Sequence, residues 1–156
     1  MTGATYTPPK SKEAAMAGIQ RTASGTWRGD LRGGNGDMSS GSGTLDKVPF
    51  TFATRFENAK GTNPEELIAA AQAGCYSMAF ANYLAQQGFQ PDEIVTRATI
   101  TMENLAITKM HLETRGQVPG LDDATFKRLA AEAEQKCPVA NLLRSGLTIT
   151  LDAALA

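Results

Sequence analysis

The sequence predicts an α+β fold, and two observations about the order of its segments support this class. Strand-like segments occur in runs, three before residue 58 and two after residue 93, instead of alternating one by one with helices. A long helical pattern that begins at Asn63 separates the two runs, and two shorter helical patterns precede a last strand. This order, βββ-α-ββ-αα-β, is typical of antiparallel strands with helices inserted between them.

The first 18 residues differ in character from the rest of the chain. They contain Pro8 and Pro9 among small and charged residues, without a sustained apolar period. We therefore predict that residues 1–18 form a mobile N-terminal extension. Residues 19–156 are enough for one domain, and we expect them to form a single one.

Three strands are predicted next, as an antiparallel meander at residues 19–29, 38–45 and 49–57. A glycine-rich turn at residues 32–36 follows the first strand, and it lacks the lysine and the strand-to-helix context of a phosphate loop. In the third strand a period of two places Arg55 on the face opposite the phenylalanine side chains.

The long helix has a complete start signal. Asn63 is suited to the N-cap, Pro64 to the first helical position and Glu66 to the closing of a capping box. We expect the helix to run to about Gln87, where Gly88 stops it. Its alanine-rich surface is apolar over much of the circumference, which predicts burial on most sides. A homodimer with paired central helices would supply the cover that one chain lacks.

The second half of the chain continues with strands, helices and a strand. Thr, Ile and Val enrichment predicts two strands joined by a turn near Glu103 and Asn104. Asp122 and Pro138 each mark the start of a helix, and alternating residues mark the last strand. The predicted ranges are 94–102 and 107–117 for the strands, 122–135 and 138–144 for the helices, and 147–153 for the last strand.

Composition excludes several classes of partner. The net charge is −1 and the 15 basic and 16 acidic residues are scattered, so we expect binding neither to nucleic acid nor to an anionic membrane. No apolar run reaches the length of a membrane helix, and the first residues lack the order of a secretory signal. We therefore expect a cytoplasmic protein. In that reducing compartment a cysteine pair is more often free or catalytic than a permanent disulfide.

Cys75 and Cys137 are the two cysteines of the chain. They suit a redox cycle in which one sulfur attacks and the other resolves, and they suit two inert core residues equally well. Cys75 lies roughly 16 Å along its helix, so the dipole of that helix cannot activate it. Cys137 precedes Pro138 at a helix start, where amide groups favour a thiolate, so on intrinsic features it competes for the attacking role. The alternative for Cys137 is that it begins the helix and has no chemical role.

Activation of Cys75 would need a side-chain cation, and Arg55 is the candidate. The alternatives for Arg55 are a salt bridge to Glu57 or exposure at a strand edge. Glu65 is explained by the positive end of its helix. It lies about 15 Å from Cys75 on a straight helix, so it reaches a Cys75 only across a pair of antiparallel helices.

His111 is the single histidine, and its position in the middle of a predicted strand favours a structural role. A Cys/His hydrolytic dyad has no sequence signature here. Two cysteines and one histidine without short spacings also make a poor metal site, so we expect no metal.

Three blocks of sequence carry a family resemblance. They are Thr-Arg-Phe-Glu at residues 54–57, the helix start at residues 61–70 with Cys75, and Cys137 followed by Pro138 and Val139. Together they resemble the OsmC/Ohr family of thiol-dependent peroxidases, and its OsmC branch more than its Ohr branch. The resemblance implies an intertwined homodimer, in which antiparallel sheets wrap around two central helices and the active sites lie at the dimer interface.

The resemblance also implies roles for four residues. Cys75 matches the peroxidatic cysteine, Cys137 the resolving cysteine, Arg55 the arginine that stabilises the thiolate and Glu65 the acidic residue that orients this arginine. We predict that Glu65 acts across the dimer interface. No bound cofactor is expected, because an external dithiol reduces the disulfide, and the family suggests a lipoylated protein as that reductant.

The expected substrates are organic hydroperoxides, with hydrogen peroxide reduced more weakly. Apolar side chains would favour the organic substrate, although the same residues suit a core; the candidates are Phe50, Phe52, Phe56, Met78 and Leu142. The alternative function is a non-catalytic dimeric redox sensor or ligand-binding protein of the same fold.

Overall fold

The structure is a computed structural model that describes residues 18–156. The described chain divides into two compact units, one that ends at Ala53 and one that comprises Thr54–Ala156. Nearly all of the predicted N-terminal extension, residues 1–17, lies outside the described residues. The single-domain organisation of residues 19–156 stays a prediction.

The first unit holds a three-stranded antiparallel sheet in the order β1 (Ala23–Arg28), β2 (Asn35–Ser40) and β3 (Val48–Thr51). Trp27 and Phe50 lie on either side of Gly36 in register, with ring centroids 5.3 Å apart. A side chain at Gly36 would place its Cβ 2.7 Å from the Phe50 ring and 2.8 Å from the Trp27 ring. Glycine at this position therefore lets the two rings meet across the sheet.

The prediction of the third strand is correct for its first half and wrong for its second half. The strand ends at Thr51, and Phe52–Phe56 form a short helix, α1, so Arg55 lies in a helical turn and not on a strand face. Phe52 and Phe56 are four residues apart, a spacing that fits one helical face as well as it fits one strand face. The period of two therefore could not distinguish the structures over so short a segment.

The second unit is built around α2 (Pro64–Gln86), which packs on a sheet and on two helices. The sheet has the order β4 (Glu93–Glu103), β5 (Ala106–Gln117) and β6 (Thr148–Leu155), and the helices are α3 (Asp123–Glu134) and α4 (Pro138–Leu143). The α+β class is confirmed. β6 pairs in parallel with β5, contrary to the antiparallel expectation, because α3 and α4 form a crossover that returns the chain in the same direction.

The start of α2 agrees with the sequence prediction. The Asn63 side chain accepts a hydrogen bond from the backbone N–H of Glu66 at 2.8 Å, and Pro64 occupies the first turn. The Asn63 amide also donates to the carbonyl of Thr54 at 3.1 Å. Gly88, with φ of +89°, follows the helix in the left-handed conformation that suits a helix end. Asn63 therefore both caps α2 and ties it to α1.

Only one face of α2 is buried by the described residues. Tyr76, Phe80 and Leu84 are fully buried. The ring centroids of Phe80 and of Phe126 on α3 lie 5.0 Å apart. On the opposite face Met78 is 73% exposed, and small residues flank it toward the helix start. The sheet and helices of one chain cover one side of α2, so burial on most sides, which needs a second chain, stays a prediction. None of the described helices has the length and apolar character that crossing a bilayer requires.

Removal of the Asn63 side chain should destabilise the fold through the start of α2. Asn63→Ala loses both the capping bond and the bond to Thr54, and we expect the free energy of unfolding to fall by about 1 to 2 kcal/mol. Asn63→Ser keeps a capping oxygen but lacks the reach to Thr54, so it should lose less. Urea unfolding followed by circular dichroism measures both losses. Equal losses in the two variants would mean that the cap contributes nothing.

Candidate active site

The two thiols meet within one chain. Cys137 Sγ lies 3.3 Å from Cys75 Sγ, and both cysteines are free. Cys137 is fully buried, whereas Cys75 is half-buried. A disulfide has a sulfur–sulfur distance of about 2.05 Å, so bond formation requires the two sulfurs to approach by a little over 1 Å. The pair is thus positioned for reversible oxidation.

Two helices create this contact. Cys75 lies near the middle of α2, and Cys137 is the N-cap residue of α4, immediately before Pro138 at the first helical position. Ala140 on the following turn is fully buried, and α4 packs against α2. The start of α4 therefore brings its thiol to the middle of α2.

The environment of Cys137 disfavours its thiolate. Burial raises the pKa of the Cys137 thiol, and the neighbouring Cys75 raises it further, while backbone N–H groups of Ala140 and Val139 lower it. Burial is the largest effect, so the pKa lies above the ordinary value of a thiol. The raised pKa counts against the attacking role that the helix start suggests for Cys137.

Arg55 and Glu65 form a two-pronged ion pair. Arg55 Nη2 donates to Glu65 Oε1 at 2.7 Å, and Arg55 Nε donates to the same oxygen at 3.0 Å and to Oε2 at 3.2 Å. The Glu65 side chain is 9% exposed and the Arg55 side chain 36%. Two parallel donors fix the plane of the guanidinium as well as its position.

This pair forms within a single chain, so Arg55 is held by Glu65 of its own chain, while the action of Glu65 across a dimer interface stays a prediction. The bond from Asn63 to the Thr54 carbonyl draws α1 against the start of α2. Gly61, with φ of +148°, allows the connection, since a Cβ there would lie 2.8 Å from the Thr54 side chain. The alternative pairing with Glu57 is also not what the structure shows, because the fork of Arg55 bonds Glu65.

The ion pair and the thiol pair are separate clusters. Arg55 and Glu65 line a cavity of about 580 Å³ together with residues of β4, including Arg97 and Met102. Neither cysteine lines this cavity. The separation agrees with helix geometry, which places Glu65 about 15 Å from Cys75 along α2. Within one chain the structure thus assembles the four predicted residues as two pairs.

The five apolar candidates do not form one pocket in a single chain. Phe56 lines the cavity of Arg55, whereas Leu142 lines a separate cavity of about 300 Å³ with Ile68 and Ile107. Met78 and Leu142 are each 73% exposed. In the first unit, Phe50 contacts Trp27 and Phe52 lies under the Arg32 guanidinium.

The single histidine has structural partners. His111 Nδ1 lies 2.7 Å from the Thr150 hydroxyl, and Nε2 lies 3.4 Å from an Asp152 carboxylate oxygen, so the ring links β5 to β6. The described residues contain no cluster of three or more His, Cys, Asp or Glu side chains that could hold a metal ion.

Sequence reasoning missed two charged residues beside Cys137. Glu134 ends α3 with its side chain only 7% exposed, and Arg144, directly after α4, donates to it at 2.8 Å. Burial raises the pKa of the Tyr76 hydroxyl, and the nearby charges of Glu134 and Cys137 add to the effect. A carboxylate four residues after Ala130, on the apolar face of the predicted helix, was the signal available in the sequence.

Comparisons with known proteins match this chain to one family. The family model described as OsmC-like protein matches residues 57–152. The peroxiredoxin OsmC of Escherichia coli strain K12 is 42% identical over 135 residues, which cover 84% of this chain and 94% of that protein.

Solved structures have the same fold. The organic hydroperoxide resistance protein OhrB of Bacillus subtilis matches with a TM-score of 0.63 and 26% identity, covering 85% of this chain and 97% of that one. An organic hydroperoxide resistance protein of Elizabethkingia anophelis matches with a TM-score of 0.68, covering 90% and 100% of the two chains. Its identity is 23%, so that likeness concerns the fold alone.

The raised pKa of Cys137 has a measurable consequence. In Cys75→Ser, the rate of Cys137 alkylation by iodoacetamide should rise with pH at a higher midpoint in the folded protein than in urea, because burial delays formation of the thiolate. The midpoint is the measurement, taken by mass spectrometry over a range of pH, since burial also slows the reaction at every pH. A lower midpoint in the folded protein would contradict the assignment.

Proposed function

The chain belongs to the OsmC-like protein family, and from this membership and its thiol geometry we propose that it is a peroxiredoxin-like thiol peroxidase. Its substrates are organic hydroperoxides, with hydrogen peroxide reduced more weakly. The observation that carries the proposal is the 3.3 Å separation of the Cys75 and Cys137 sulfurs within one chain. The names of the relatives, peroxiredoxin and organic hydroperoxide resistance protein, support the same class of reaction.

The reaction begins at Cys75. Its thiolate attacks the terminal oxygen of the hydroperoxide, so a sulfur–oxygen bond forms while the oxygen–oxygen bond breaks. The leaving alkoxide takes a proton and departs as an alcohol, which leaves a sulfenic acid on Cys75. Peroxide thus gains two electrons and the sulfur loses two.

Cys137 then resolves the sulfenic acid. Its sulfur attacks the sulfur of Cys75, a disulfide forms and the hydroxyl leaves as water with the thiol proton. An external dithiol restores both thiols by disulfide exchange, with a lipoylated protein as the candidate reductant and the cytoplasm as the compartment. Burial supports this order of attack, since Cys137 is fully buried and its pKa is raised, whereas Cys75 is half-buried.

Arg55 supplies the positive charge that the thiolate of Cys75 needs, and Glu65 fixes the plane of its guanidinium. We place this pair beside Cys75 of a second chain in a homodimer. Two observations support that arrangement: neither cysteine lines the Arg55 cavity of its own chain, and the Met78 face of α2 is uncovered. An exposed apolar helix face is typical of an interface between subunits.

A single-turnover experiment tests the proposed roles of the thiols. With one equivalent of an organic hydroperoxide, Cys137→Ser should still produce alcohol and accumulate a sulfenic acid that dimedone traps, whereas Cys75→Ser should produce none. Wild type should lose two hydrogens per chain by mass and show an intrachain disulfide, because both thiols belong to one chain. Consumption by Cys75→Ser but not by Cys137→Ser would reverse the assignment. No consumption by wild type with dithiothreitol would favour a non-catalytic thiol sensor.

A complementation experiment tests the shared site. Refolding Cys75→Ser chains together with Arg55→Ala chains should restore activity to about one quarter of wild type, because half of the randomly paired dimers then contain one intact site. A mixture that stays as inactive as its parents after confirmed exchange would show that each site is built within one chain.

The matched control places both substitutions in the same chain. Refolded in equal amounts with wild type, this double variant leaves no intact site in a heterodimer if the sites are shared. The mixture should then retain about one quarter of wild-type activity, against about one half if each chain holds its own site.

A further inference from the structure

An ion pair between a buried carboxylate and an arginine whose side chain is 38% exposed brackets the segment that carries Cys137. Glu134, the last residue of α3, has a side chain that is 7% exposed, and Arg144, directly after α4, donates to its Oε1 at 2.8 Å. Cys137 lies between them in sequence, and its own backbone N–H donates to the Glu134 carbonyl at 3.3 Å. The pair therefore closes a loop around the resolving thiol.

Apart from this ion pair, α4 is held by the packing of Val139, Ala140 and Leu143 on the core. The helix has six residues, and the Cys137 side chain makes no capping hydrogen bond at its start. At the other side of the loop, Lys136 lies 5.0 Å from the ring of Tyr83 on α2. Gln135 donates to the second oxygen of Glu134 at 2.7 Å, so both carboxylate oxygens are occupied. Glu134 is thus the point from which the end of α4 is held.

Resolution makes a geometric demand on this segment. The Cys137 sulfur must move by a little over 1 Å toward Cys75 to form the disulfide, and it must do so along the sulfur–oxygen axis of the sulfenic acid. A misplacement of about 1 Å costs about 100-fold in reactions that depend on orientation. A six-residue helix whose C-terminal end can shift would present the sulfur in this orientation less often.

We propose that Arg144, through its ion pair with Glu134, is a positioning residue for the step in which Cys137 attacks the sulfenic acid of Cys75. The inference rests on the proposed peroxidase function and concerns that same site. The step itself is unchanged: a sulfur–sulfur bond forms, the sulfur–oxygen bond breaks and water leaves. Loss of the pair lengthens the life of the sulfenic acid, and a second peroxide molecule then oxidises it to a sulfinic acid.

Stopped-flow and mass spectrometry on the full-length chain test the proposal. In Arg144→Gln, formation of the Cys75 sulfenic acid should keep its rate, disulfide formation should slow by about tenfold or more, and the sulfinic acid should rise with peroxide concentration. Arg144→Lys, which retains a charged donor, should recover much of the rate. Arg128→Gln is the matched control, because Arg128 pairs with Glu132 on the exposed side of α3 and should leave both steps unchanged.

A second measurement needs no peroxide. The equilibrium between thiols and disulfide in a glutathione buffer reports how well the two sulfurs are held together, and Arg144→Gln should shift it toward the thiols. Glu134→Gln serves the same tests if Arg144→Gln fails to fold. The inference would be overturned if a folded variant converted its sulfenic acid to disulfide and to sulfinic acid in the same proportions as wild type and also had an unchanged equilibrium in the glutathione buffer. Absence of any sulfenic acid, even in wild type, would instead refute the proposed function while the glutathione equilibrium still tests the pair.

Discussion

The contact between the middle of α2 and the N-cap residue of α4 is the constraint on which the rest of the second unit depends. It brings together two sulfurs that are 62 positions apart in sequence, 3.3 Å from each other. The parallel return of β6 alongside β5 requires a crossover, and α3 and α4 are that crossover. The sheet topology and the thiol contact are therefore two results of one chain path.

The two clusters along α2 differ in charge, since one holds a cation and the other a neutral thiol. At the start of the helix, Glu65 holds Arg55 through a planar fork, which fixes a positive charge beside a cavity. Near the middle, burial keeps Cys137 protonated and leaves Cys75 as the more accessible thiol. The length of helix between them separates charge from sulfur within one chain, which gives a second copy of the chain a role in the proposed chemistry.

Much of this arrangement was predictable from residue patterns, and the failures have specific causes. The start of α2 followed from Asn63 and Pro64 because capping is a local interaction. The structure of the segment around Arg55 did not follow, since phenylalanines four apart fit a helix and a strand alike. Arg144 was invisible in sequence because its significance depends on Glu134, ten residues away and on another helix. Burial, which decides the pKa of Cys137, is likewise a property of the tertiary structure.

The long sequence separation of the two thiols links oxidation to conformational stability. A bond between Cys75 and Cys137 would close a loop of about 60 residues, and such a cross-link lowers the entropy of the unfolded chain by the equivalent of about 4 kcal/mol in the chain-entropy account. An oxidised molecule would thus resist unfolding and proteolysis better than a reduced one. Each turnover would then pass through a form that is harder to degrade, so the lifetime of the protein would lengthen while its oxidant is present.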